Sequence, residues 1–213
     1  MFLKSLLWSF PNFIQDNYLS YKYNKQYRKW ISAGKPLPPV HIVKQQRIAE
    51  YKKKYNIDIL VETGTYLGDM IWAQRKNFAK IYSIELSKTF ADLAKKRFKK
   101  QTNITIIEGD SGVVLNLLIG QIDKKAIFWL DGHYSGGNTA CANKECPIYE
   151  ELNAIFKSDI DHILLIDDAR CFVGTGSYPT IEELSGFISD KYTGSSIHID
   201  NDCIIVELSK NAQ

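Results

Sequence analysis

With 213 residues, 45% of them hydrophobic, the chain is long enough to bury a sizeable core and suits one domain with an appendage. Its formal charge of +3 is too mild to imply nucleic-acid binding, which shows as a concentrated basic face. No apolar run approaches bilayer length, and the four irregularly spaced cysteines point to free thiols in a cytoplasmic protein rather than a secreted disulfide framework.

The first forty residues differ from the rest. Met1 to Phe10 is apolar and aromatic, but Lys4 interrupts it, Pro11 follows and no small-residue cleavage site appears, so a secretory leader is not expected. Met1 to Lys35 mixes aromatics with Lys22, Lys25, Arg28 and Lys29, and Lys35-Pro36-Leu37-Pro38-Pro39 reads as a stiff linker. Residues 1–40 are therefore expected to form a helical arm that covers the core or a partner subunit in a homo-oligomer. Its alternative is a basic, aromatic surface meeting acidic lipid or an anionic substrate. His41 to Tyr55 reads as a helix beside the first strand.

From Ile57 onward, apolar strands alternate with helical patterns. Ile57 to Val61 is a buried strand that runs into Glu62-Thr63-Gly64-Thr65-Tyr66-Leu67-Gly68, followed by helical spacing at Tyr66, Met70, Ile71, Ala73 and Phe78. This is E-x-G-x-x-x-G, not the dinucleotide G-x-G-x-x-G. A carboxylate before the first glycine repels a pyrophosphate and suits a positive amino group, such as the methionine end of S-adenosylmethionine. Gly64, Thr65 and Gly68 are the turn residues that bring backbone to such a ligand. Lys80 to Glu85 is a second strand, and Glu85 is placed for ribose hydroxyls. Ser87 is the expected N-cap of a helix through about Lys99. Asn103 to Glu108 is a third strand, with Asp110 and Ser111 placed for an adenine. Ala126 to Leu130, ending at Asp131, and His162 to Ile166, ending at Asp167-Asp168, are the fourth and fifth. Acidic strand ends in series place a ligand beyond the C-terminal edge of a parallel sheet. Ser196–Ile199 and Cys203–Leu208 around Asp200-Asn201-Asp202 form a hairpin.

The glycine-rich stretch Asp131-Gly132-His133-Tyr134-Ser135-Gly136-Gly137 starts at a strand end and runs to Pro147, which suits a first helical turn. It reads as a substrate lid. Zinc on His133, Cys141, Cys146 and Cys171 is a weaker alternative, because no second C-x-x-C pair supports it. His41, His162 and His198 are given no chemistry.

A parallel α/β sheet closed by a C-terminal antiparallel hairpin resembles the class I S-adenosylmethionine-dependent methyltransferases over roughly residues 57–208. Leu130-Asp131-Gly132-His133-Tyr134 and Leu165-Ile166-Asp167-Asp168 resemble the acidic motifs of the metal-dependent macrocin O-methyltransferase-like group. The resemblance implies a Rossmann-like, doubly wound, mostly parallel seven-stranded sheet, with the methyltransferase domain at 41–213. It implies S-adenosylmethionine as cofactor, with Asp131 also at the cofactor, and magnesium on Asp131, Asp167 and Asp168. It further implies methylation of a hydroxyl on a small molecule, a sugar or glycan precursor, with no nucleic-acid partner. The group has an aspartate two residues after the first where this chain has His133. His133, with Asp131, is thus the candidate for the catalytic chemistry, and Tyr134 and Arg170 are candidates for the acceptor. Three converging carboxylates need a cation, and an all-oxygen set suits magnesium or its hard relatives. Two alternatives are a metal-independent N- or O-methyltransferase of another small molecule and a non-catalytic Rossmann-like binding subunit.

Overall fold

The computed structural model describes residues 7–132 and 146–210. Helix α1 (Asn12–Ser32) starts after Pro11 and ends before Gly34 and Lys35, both at positive φ. The proline-rich linker turns the chain into α2 (His41–Tyr55), which stops at left-handed Asn56 with Lys52, Lys53 and Lys54 against the negative end of its dipole. Then follow β1 (Ile59–Thr63), α3 (Asp69–Gln74), β2 (Lys80–Glu85), α4 (Lys88–Phe98), β3 (Ile104–Glu108), α5 (Ser111–Leu118) and β4 (Ala126–Leu130). After residues 133–145 come α6 (Ile148–Ile155), β5 (Ile163–Ile166), a 3-10 turn at Ala169–Cys171, α7 (Ile181–Ser189), β6 (Ser196–Asp200) and β7 (Cys203–Glu207).

The seven strands lie in the order β3-β2-β1-β4-β5-β7-β6. The first five are parallel, and β7 runs antiparallel between β5 and β6. This is the doubly wound, mostly parallel sheet with a C-terminal hairpin that the sequence predicts. The strand order reverses between β1 and β4, the switch point where such sheets bind ligands. The hairpin closes through Asn201 and Asp202, both at positive φ, a two-residue turn whose twist matches the strands.

Strand alternation divides the core. Val61, Phe128, Leu130 and Ile166 face α5, α6 and α7 through Leu115, Leu152 and Leu184. Leu60, Ile127, Trp129 and Leu165 face α1, α2 and α3 through Leu19, Ile48 and Ile71. Because side chains alternate, Glu62, Asp131 and Asp167 continue the second set and turn toward α1 and α2.

Two local expectations shift. The first strand begins at Ile59 and includes Glu62 and Thr63, so the carboxylate is buried within the sheet rather than set beyond it. The helix after the turn is shorter than the spacing of Tyr66 and Phe78 predicts. Tyr66 and Gly68 both adopt positive φ, so the tight turn consumes the residues ahead of Asp69.

Candidate functional site

A cleft of about 390 Å³ opens at the switch point. Glu62, Gly64, Thr65, Tyr66 and Asp131 line it from the sheet, and Lys22, Tyr23, His41 and Lys44 line it from α1 and α2. A cleft of this size lies within the range of small-molecule sites. Gly64 has φ +86°, and a Cβ there would collide with the Asp131 carbonyl group. The glycine is thus required twice, by its backbone conformation and by the close approach of β1 to the end of β4.

Glu62 is 2% exposed and accepts the Ser83 hydroxyl, which also lies 2.6 Å from the Thr65 hydroxyl. Burial pushes its pKa up to about 8, against the opposing effect of the Ser83 hydrogen bond. A protonated carboxyl beside an open cleft is poised to ionise when a cation arrives. At the end of β2, Glu85 accepts the backbone N–H groups of Tyr66 at 2.7 Å and Ser87 at 2.8 Å. Ser87 occupies the N-cap position of α4 but makes no side-chain cap. These bonds hold the Glu85 carboxylate still at the mouth of the turn.

Asp110 caps α5 by accepting the Gly112 N–H at 2.9 Å. Ser111 points inward and donates to Glu151 at 2.6 Å. Glu151, from α6, is fully buried, and burial raises its pKa to about 7. Thr63 joins the same group, supporting Glu151 and accepting the Asp131 N–H at 3.3 Å. The sequence reading misses Glu151, although its spacing from Ile148, Leu152 and Ile155 places it, unlike Glu150, on the apolar face of α6.

Asp131, Asp167 and Asp168 each offer a carboxylate oxygen within 4.8 Å of the others. Asp167 and Asp168 reach one point because Asp168 takes a left-handed conformation, φ +56°, which aspartate tolerates better than most residues. Burial, and then the Asp167 charge, push Asp131 well above the usual carboxylate range. Burial raises Asp167 to about 6, with Lys44 opposing.

Lys44 is the member that sequence reading misses. From α2 its ammonium donates to Asp167 and lies 3.4 Å from Asp168. Burial works to lower its pKa, but Asp167 and Asp131 outweigh burial and the net direction is upward. The acidic cluster thus carries its own cation from an element 123 residues away in sequence.

Arg170 pairs with Asp168 at 2.9 Å and with Asp202 of the hairpin turn, and its backbone N–H donates to Asp202 at 2.9 Å. It is a brace between the acidic loop and the hairpin. His133, Tyr134 and Cys141 lie outside the described residues. Cys171 and Cys203 are free thiols, and burial raises Cys146 to about 12, which makes it a packed core group. His162 is buried, accepts the Ala126 N–H at 3.2 Å, and is held neutral by burial at a pKa of about 4. No helix among the described residues is long and apolar enough to cross a membrane.

No protein-family model matches the sequence, and no curated protein matches it significantly. Solved structures do match the fold. The chain is similar to the O-methyltransferase TomG from Streptomyces achromogenes, involved in tomaymycin synthesis and solved with SAM, at 14% identity over 89% of each chain with a TM-score of 0.56. It is similar to a putative caffeoyl-CoA O-methyltransferase from Staphylococcus aureus at 14% identity, over 91% of this chain and 98% of that one, TM-score 0.57. It is also similar to an O-methyltransferase from Bacillus cereus solved with SAH, at 13% identity, over 88% and 90%, TM-score 0.56. At such identities the likeness establishes the fold: the chain has the Rossmann-like architecture of the class I methyltransferases.

Proposed function

We propose that the chain is an S-adenosylmethionine-dependent O-methyltransferase acting on a hydroxyl of a small molecule. The observation that carries this reading is the convergence of Glu62, Gly64, Thr65 and Asp131 on one cleft at the switch point, with an acidic cluster beside it. Glu62 receives the amino group of the cofactor, Gly64 and Thr65 approach its methionine part, and Glu85 accepts its ribose hydroxyls. Asp110 and Ser111 mark the adenine end. Holding donor and acceptor in attack geometry supplies several kcal/mol of the barrier without a covalent intermediate. The fold neighbours named as O-methyltransferases, two of them with SAM or SAH bound, support the same chemistry.

The donors fit a hard divalent cation. All three are carboxylates, and the buried Oδ1 of Asp167 has no hydrogen-bond partner among the described residues. Asp131, Asp167 and Asp168 would hold magnesium, which supplies a positive centre that lowers the pKa of a substrate hydroxyl. His133, two residues beyond Asp131, takes the proton, and Tyr134 contacts the acceptor. The sugar or glycan class of acceptor rests on the resemblance of the Asp131 and Asp167-Asp168 motifs.

Lys44 favours a second reading, metal-independent methyl transfer, because its ammonium already neutralises part of the cluster. Calorimetric titration with S-adenosylhomocysteine tests the cofactor assignment, and absence of saturable binding refutes it. Mass spectrometry of methyl transfer to a panel of sugar nucleotides, with magnesium or with chelator, separates the two readings. Full turnover in excess chelator selects the second.

A further inference from the structure

The arm is pinned on one side and apolar on the other. Its inner face buries Leu19, Tyr23 and Trp30. Asp16 clamps it to the core, accepting Arg75 at 2.6 and 2.7 Å, Lys76 at 2.9 Å and the Trp72 indole at 3.0 Å. Its outer face presents Phe13, Ile14, Tyr18 and Tyr21, with Phe13 and Tyr21 65% and 69% exposed. Ile14, Tyr18 and Tyr21 follow i, i+4, i+7 spacing and form one stripe. Lys25 and Arg28 are exposed one and two turns further along. Apolar side chains in this number and continuity mark an interaction surface rather than chance exposure.

Beside the start of α1 lies a groove of about 1,050 Å³. Its walls include Trp8, Phe10 and Phe13 on the arm and Lys96, Lys99 and Lys100 at the end of α4. The three lysines are exposed, and the Arg97 guanidinium lies 4.8 Å from the centre of the Trp8 ring. Aromatic rings rimmed by ammonium groups match an interface where acyl chains meet negative headgroups. A second copy of this chain fits less well. The acid of α1 is Asp16, engaged with Arg75 and Lys76, and that of α4 is Asp92, 3.2 Å from Lys88. A twofold contact on this face would oppose basic residues to their own copies, which costs stability.

We propose that this face docks the protein on an anionic lipid bilayer, with the aromatic stripe at the acyl boundary and the lysines on the headgroup phosphates. The same helix carries Lys22 and Tyr23 into the cleft, so docking sets the cleft beside the membrane surface. The proposal stands independently of the reaction catalysed.

The test is flotation of the full chain with vesicles of phosphatidylcholine alone and of phosphatidylcholine mixed with phosphatidylglycerol. The wild type should float with the mixed vesicles and not with the neutral ones, and added salt should weaken binding. Lys96→Glu, Lys99→Glu and Lys100→Glu together should weaken it about a hundredfold or more. Phe13→Ser with Tyr21→Ser should weaken it about tenfold or more, with the melting temperature unchanged because both side chains are exposed. Failure to float with mixed vesicles, or equal flotation with both kinds, overturns the proposal. A dimer in light scattering that Phe13→Ser and Tyr21→Ser dissociate, without vesicle binding, overturns it and assigns the face to a second copy.

Discussion

Glu62→Gln separates stability from binding. Burial holds Glu62 at a pKa of about 8 against an ordinary value of 4.5. The folded state therefore binds a proton that the unfolded chain has lost. This contribution leaves stability intact below the unfolded value and erodes it as pH rises toward the folded one. At pH 7 the gap from 4.5 corresponds to roughly 3 kcal/mol, at about 1.4 kcal/mol per pH unit. Glu62→Gln removes that penalty, so the unliganded variant should gain up to about 3 kcal/mol in urea unfolding at pH 7 and much less near pH 5. Binding should move the other way. An ammonium group on the cofactor needs the carboxylate, and ionising it at pH 7 costs about 1.4 kcal/mol of a charged contact worth about 1.5–3 kcal/mol. The net loss in the variant at pH 7 is then about 1 kcal/mol. The decisive signature is the slope. Wild-type affinity for S-adenosylhomocysteine should rise by up to about tenfold per pH unit between about pH 6 and about pH 8, with proton release, and the variant should show no slope. Calorimetry in buffers of different ionisation enthalpy reads both quantities. A flat wild-type profile, or equal affinities for the two proteins, would refute the assignment of Glu62 to the cofactor amine.

Gly64→Ala should cost at least about 2 kcal/mol in chemical denaturation, since a side chain is strained at positive φ and its Cβ meets the Asp131 backbone. A melting temperature equal to wild type would show that the β1–β4 approach is looser than described. Glu85→Ala should weaken S-adenosylhomocysteine binding by about 1.5–3 kcal/mol, read by calorimetry, and unchanged affinity would remove Glu85 from the ribose site. Asp168→Asn should raise the magnesium concentration needed for half-maximal turnover, and an unaltered metal response would place the cation elsewhere. Asp16→Ala leaves the buried Arg75 without its carboxylate and should destabilise the protein by about 3 kcal/mol, whereas a loss under about 0.5 kcal/mol would mean that the arm is held by apolar packing alone.

How far the sequence carries can be seen residue by residue. Runs such as Ala126 to Leu130 and Ile163 to Ile166 read as central strands because both of their faces are buried, which leaves an unbroken apolar run between turns. The acids that follow them, Asp131 and Asp167, read as site residues because a parallel sheet collects its strand ends on one edge. Two-residue alternation even fixes that these acids share a face with Glu62. The hairpin turn was legible in Asn201-Asp202 for a local reason, the tolerance of those residues for positive φ. Other features were decided only by packing. Lys44 belongs to a helix whose own pattern says nothing of its target. It meets Asp167 because α2 docks over the sheet at that point. Asp202 reaches Arg170 only once the hairpin has paired beside β5, and Glu151 becomes fully buried only when α6 lies against α5. Period and turn chemistry act over a few residues, so the chain displays them openly. The charge balance of the acidic cluster comes from side chains more than a hundred residues apart, and only the assembled sheet and its covering helices bring them within hydrogen-bond reach.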